Sequence, residues 1–240
     1  GGRGGGVGST VGDDADGGSF INHRDSGHVG GIRRAGTRGD GSARLPVTST
    51  RIVQLNAVAE MAGEVGIVAD IAGGTALALE HLFALGHSRV AFLGSTAGDD
   101  SRWTAWRDAH LLSGRDCGPA AHTPFTRAGG YEGMQTLLAH GAPRAIFVIS
   151  DMIAVGALRA IREAGLRVPD DIALVSFDDS PEAAFASPSL TTVHQPVSQM
   201  ARDAVDAVIE PGRVTPGRHV YPVELIVRES SGTRVEPADE

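Results

Sequence analysis

The stretch SDMIAVGALRAIREAGLRVPDDIALVSFDDSPEA, residues 150–183, decides the fold. Its segment MIAVGALRAIREAG reads as an amphipathic helix, and the run DIALVSF that follows reads as a buried strand. Just ahead of it RAIFVIS, residues 144–150, is a second buried strand, so the order is strand, helix, strand. Each apolar strand ends in polar groups: Ser150 and Asp151 after the first, Asp178, Asp179 and Ser180 after the second. In a parallel sheet ligands bind in the crevice beyond the carboxyl ends of the strands, so both clusters are expected to face one crevice.

Working outward, the same alternation recurs. VGIVAD (65–70) is a short strand ending in Asp70, GGTALALEHLFALG (73–86) a helix closed by Gly86, and SRVAFLG (88–94) the next strand. SRWTAWRDAHLLSG (101–114) and GGYEGMQTLLAHG (129–141) read as helices. Repeated passes predict an α/β fold with a parallel sheet covered by helices on both faces. Residues 1–50 differ: they hold 15 of the 33 glycines and six arginines and show no sustained apolar period. Residues 1–64 are therefore expected to be a disordered, low-complexity segment, with a short helix at IVQLNAVAEMAG (52–63).

Composition narrows the function. A net charge of -8 argues against a broad basic face that grips phosphates. All 21 basic residues are arginine, and with no lysine a phosphate loop ending in GKS or GKT is excluded. Neither a G-x-S-x-G nor an H-E-x-x-H motif occurs, so no enzymatic activity, cofactor or metal is expected. The single Cys117, the absence of an apolar run of ~20 residues and the absence of a signal pattern predict a soluble, non-exported, cytoplasmic chain with no membrane partner.

Asp151 reads as an N-cap of the helix behind it, whereas Asp178 reads as a ligand group or a structural one, with both readings open. Arg102 reads as a surface helix arginine paired with Asp99 or Asp108, and Phe125 as core packing, unless a ligand claims them. His87, after Gly86, is expected to support a helix end.

The runs HLFALGHSRVAFLG, SDMIAVGALRAIREAGLRVPDDIALVSFDD, PSLTTVHQP and ELIVRESS resemble, in order and spacing, the effector-binding core of the lactose-repressor (LacI/GalR) family of bacterial transcription regulators. The resemblance covers about residues 65–232 and is carried by GLRVPDDIALVSFDD together with PSLTTVHQP. It implies a periplasmic-binding-protein-like fold of two Rossmann-like lobes, with the effector between them. The C-terminal lobe is expected at about 87–193 and parts of an incomplete N-terminal lobe at 65–86 and 194–222, followed by a tail at 233–240.

Residue by residue, the resemblance implies six ligand-binding positions. Arg102 in RWTAW matches the family arginine, with Ala105 in the usual glycine place; Phe125 before GGY matches a ligand-stacking aromatic. Ser150 stands where the family has Asn or Ser, Asp178 matches the aspartate that binds ligand hydroxyls, and Gln195 matches a polar position near the hinge. Asp70 in VADIAGG matches the aspartate of a V-x-x-D-N segment, with Ile71 in place of the Asn. The partners implied are a monosaccharide or nucleoside effector, a second copy in a homodimer, and operator DNA only in a full-length form. The family begins with a helix-turn-helix of roughly sixty residues, and none is recognisable in residues 1–64, whose Gly/Arg richness is that of a GC-rich segment read out of frame. Two functions stand side by side: the effector-sensing and dimerising part of a regulator, or a free-standing periplasmic-type sugar-binding protein. A damaged, nonfunctional product is a third reading.

Overall fold

The computed structural model describes residues 9–13, 19–25, 28–34, 51–55, 64–95, 100–210 and 212–232. In chain order these hold β1 (Ser9–Asp13), β2 (Ser19–Asp25), β3 (His28–Arg34), β4 (Arg51–Leu55), β5 (Val65–Ala69), α1 (Ile71–Ala84), β6 (Ala91–Ser95), α2 (Ser101–Leu112), β7 (Ala120–Thr123) and α3 (Arg127–Ala139). There follow β8 (Ala145–Val148), α4 (Asp151–Glu163), β9 (Ala173–Asp178), α5 (Pro181–Phe185), β10 (Thr191–His194), α6 (Val197–Ile209), β11 (Gly217–Tyr221) and β12 (Glu224–Ile226), then a 3-10 turn at Glu229–Ser231. The chain divides into one unit of residues 1–70 with 196–222 and a second of residues 71–195 with 223–240.

In the first unit the strands run β1-β2-β3-β4-β5-β11. β1, β2 and β3 pair antiparallel, and β3 through β5 to β11 pair parallel. At residues 9–13, 19–25, 28–34 and 51–55 strands stand where a structureless segment was expected, β4 taking the start of the expected helix at 52–63; the rest of residues 1–63 lies outside the described ones. The reason is register. Val11, Ile21, Ile32 and Val53 lie in segments with no sustained apolar period, yet with Val65 they become successive Cα partners in one cross-strand row. α6 buries Met200, Ala204 and Ala207 within this unit, where Tyr221 also donates its hydroxyl to Asp203 at 2.6 Å.

The second unit is built on the order β12-β10-β9-β8-β6-β7, parallel from β10 to β7, with β12 antiparallel at one edge. Phe92, Leu93, Phe147, Ile149 and Phe177 fill its core with no more than 1% of their surface exposed. Successive strand residues face opposite sides, so Ser176 and Phe177 report where the helices lie. Ser176 bonds Asp151 of α4, whereas a Cβ added at Gly74 of α1 would meet Phe177 at 2.9 Å. α1 and α4 therefore cover opposite faces, each packed beside one further helix, α2 and α3 respectively. The α3–α4 approach is close enough that a Cβ at Gly156 would collide with the Arg127 carbonyl and one at Gly130 with the Ile153 carbonyl.

The first unit boundary differs from the expected one. α1 belongs to the second unit, because Ala78, Leu79 and Leu82 are buried in that unit's core with Phe92 and Phe177. β7, α5, β10, α6, β11 and β12 have no counterpart in the sequence reading; AAHT, for one, is an edge strand of four residues that buries only every second one. The expected tail at 233–240 lies outside the described residues.

Candidate functional site at the carboxyl edge of the second sheet

From β6 the chain runs outward through α2 to β7, then returns past β6 through α3 to β8. The strand order reverses there, and at such a switch point the loops beyond the carboxyl ends separate and leave room for a ligand. Arg102 sits on that point. Asp100 caps α2 by accepting the Arg102 N–H at 2.9 Å, and its two carboxylate oxygens accept from Arg102 Nε at 2.9 Å and Nη2 at 3.0 Å. Arg102 Nη1 donates to the carbonyl of Ile149, just past β8, at 2.8 Å, and the guanidinium carbon lies 5.7 Å from the Phe177 ring centroid. A guanidinium has five N–H groups; three are committed here, leaving one on each Nη uncommitted among the described residues. Arg102 thus pairs with Asp100; of its two expected partners, Asp108 forms no ion pair among the described residues and Asp99 lies outside them.

β9 ends on Asp178, and Asp178 and the Asp179 that follows are non-glycine residues at φ 116° and 53°. Left-handed backbone at successive aspartates is unusual and persists only where the surroundings hold it. Asp178 accepts a 2.8 Å hydrogen bond from Gln195 Nε2, and Gln195 Oε1 is a buried oxygen with no hydrogen-bond partner among the described residues. Asp179 takes a structural part: it accepts from Arg228 Nη2 at 2.7 Å and pairs with His194 Nδ1 at 2.9 Å.

The structure brings Arg102, Asp178 and Gln195 to one sheet edge, and Phe125 stands at that edge two residues past β7. Phe125 is 41% exposed, which corrects its reading as core packing. Ser150 also follows β8 but lies beneath the surface: it is fully buried, and its Oγ accepts from Ile153 N at 3.2 Å as the N-cap of α4. That corrects the reading of Asp151 as the cap. Asp151 is instead the first helical residue, fully buried, with Oδ1 accepting from Ser176 Oγ at 2.6 Å and Thr192 Oγ1 at 2.8 Å, and Oδ2 from Ser180 N at 2.7 Å. Asp70 belongs to the first unit, where its N–H bonds the Tyr221 carbonyl at 2.9 Å.

His87 follows Gly86, whose φ is +96°, and its N–H closes α1 on the Leu82 carbonyl at 3.1 Å. Burial, then the Arg144 charge, holds its imidazole below the ordinary histidine range, so the neutral ring is favoured at the helix end. Among the described residues no group of three His, Cys, Asp or Glu is placed to hold a metal ion, and no helix is long and apolar enough to cross a membrane.

A wound α/β unit with polar groups gathered at the carboxyl edge of its sheet is the architecture of a small-molecule binding domain. Residues 79–231 match the model of the periplasmic binding protein-like domain. The chain belongs to that family, and the curated relatives it matches include transcriptional regulators and repressors. It is 35% identical over 179 residues to the HTH-type transcriptional regulator DegA of Bacillus subtilis, covering 70% of this chain and 52% of that protein. The lac repressor dimer bound to operator and the anti-inducer ONPF superposes with a TM-score of 0.70 at 27% identity, over 78% of this chain and 58% of that one. The transcriptional regulator CelR–cellobiose complex does so with a TM-score of 0.66 at 31% identity, over 75% of this chain and 58% of that one. The chain spans about half the length of the curated relatives it matches.

Proposed function

We propose that the chain is the effector-sensing part of a LacI/GalR-type transcription regulator, and that its second unit binds a small, ring-shaped, hydroxyl-rich molecule, a monosaccharide or a nucleoside. The observation that carries this reading is the pairing of Asp178 with Gln195 on the same sheet edge as Arg102. The Asp178 carboxylate is a charge-assisted acceptor for ligand hydroxyls, and Arg102 has one N–H on each Nη that is uncommitted among the described residues. Exposed Phe125 supplies an apolar face for the ring.

In a chain that also carries a helix-turn-helix, ligand binding here would bias operator affinity, and the assembly would be a homodimer. The operator and the dimer named for the lac repressor structure support both parts of this reading. That DegA and CelR are regulators supports it over a free-standing sugar-binding protein. A thermal-shift panel of monosaccharides and nucleosides tests it, because a ligand that binds only the folded state raises the melting temperature. No shift with any member of the panel would set the reading aside.

A further inference from the structure

Asp151 is a carboxylate with no surface exposure, and its partners are all neutral donors: two hydroxyls and one peptide N–H. The partners come from three different places. Ser176 is on β9, Thr192 on β10, and Ser180 is the residue before α5. One side chain therefore ties the start of α4 to the ends of both neighbouring strands and to the turn between β9 and α5.

That turn contains the left-handed residues Asp178 and Asp179. The peptide N–H of Ser180 donates to Asp151 directly, and that of Asp179 donates to Thr192 Oγ1 at 3.3 Å, the hydroxyl that in turn donates to Asp151. Both peptide groups that follow Asp178 are thus anchored on the same carboxylate.

We infer that Asp151 is the positioning residue of the ligand edge: it touches no ligand itself, but holds the Asp178–Ser180 turn in its strained conformation and so aims the Asp178 carboxylate at the ligand. This rests on the ligand reading given above for Asp178. Asp151→Asn is the mildest probe. It keeps the shape but removes the charge, and with its N–H₂ toward Ser176 and Thr192 both hydroxyls must switch from donating to accepting, so three charge-assisted bonds become weaker neutral ones.

Hydrogen exchange on the ligand-free protein reads the positioning directly. Asp151→Asn is expected to speed exchange over residues 178–186 about tenfold, with β6 and α3 unchanged. If the Asn variant does not fold, Thr192→Val removes the link between Asp151 and the Asp179 N–H and is expected to give the same local change, smaller in size. Unchanged exchange over 178–186, or a uniform rise across the unit, would overturn the inference, the latter because it marks a merely structural residue. Calorimetry with a sugar or nucleoside that the parent binds adds the second arm: Asp151→Asn should weaken binding about tenfold. Should Asp178→Ala weaken binding while Asp151→Asn leaves it intact, the positioning role fails and the ligand reading stands. Should the parent bind no member of the panel, the ligand reading fails and the exchange result alone decides whether Asp151 holds the turn.

Discussion

Arg102 Nη1 donates to the carbonyl of Ile149 at 2.8 Å, tying the first turn of α2 to the chain just past β8 across the point where the strand order reverses. With Asp100 gripping Nε and Nη2, the guanidinium is fixed in one orientation before any ligand arrives. An ammonium group is a single point donor and cannot reproduce that fork. Arg102→Lys is therefore expected to weaken effector binding about tenfold or more. A lysine can still pair with Asp100, so the cost in unfolding free energy should be that of the lost hydrogen bonds, ~1–3 kcal/mol. Calorimetry beside urea denaturation checks both numbers; equal affinity would place the ligand away from Arg102.

Gly156 inverts a general rule. In an exposed helix interior, glycine to alanine stabilises by ~0.8–1 kcal/mol. Here the added methyl would meet the Arg127 carbonyl, with Tyr131 N at 2.8 Å and the Arg127 carbonyl carbon at 2.9 Å. Gly156→Ala should therefore destabilise by ~1–3 kcal/mol. A higher urea midpoint for the variant would show that α3 and α4 do not approach so closely.

The parts of this fold that are legible in sequence are those with a local period. DIALVSF is an unbroken apolar run, so β9 and the aspartates beyond it can be placed directly. β1 to β4 have no such signal, since Val11, Ile21, Ile32 and Val53 meet only through pairing between distant segments. The site divides in the same way. Arg102, Phe125, Asp178 and Gln195 fall at the carboxyl edge, where strand ends and the family resemblance put them. Asp151 was hidden by one residue: Ser150 holds the cap, and the difference between cap and first helical position is below what a periodic pattern resolves. Arg228 has no local signal at all, because its partner Asp179 is 49 residues away.

His110 sets an acid limit on the second unit. It is fully buried, its Nδ1 bonds the Trp106 carbonyl at 2.8 Å, and its Nε2 accepts from Val90 N at 3.2 Å, an arrangement that requires the neutral ring. Burial lowers its pKa, opposed by the Trp106 hydrogen bond and assisted by the Arg115 charge. Between the lowered folded value and the unfolded value of about 6.5, the unfolded chain binds more protons, so stability falls as pH falls. His81 and His87 shift in the same direction. Stability should be full above about pH 6.5 and decline on acidification below it, with a shallower slope in His110→Asn. A urea midpoint that rose between about pH 7 and 5.5 would contradict this.

The central claim is that the carboxyl edge of the second sheet holds a hydroxyl-rich ring ligand through Asp178. Isothermal titration of the parent and of Asp178→Ala, with the monosaccharide or nucleoside that gives the largest thermal shift, tests it most directly. Deleting a charge-assisted acceptor costs ~1.5–3 kcal/mol, so the variant should bind about tenfold weaker or worse while remaining cooperatively folded, at a melting temperature lowered by the lost Gln195 bond. Equal affinity in parent and variant would contradict the account and leave Asp178 a structural partner of Gln195.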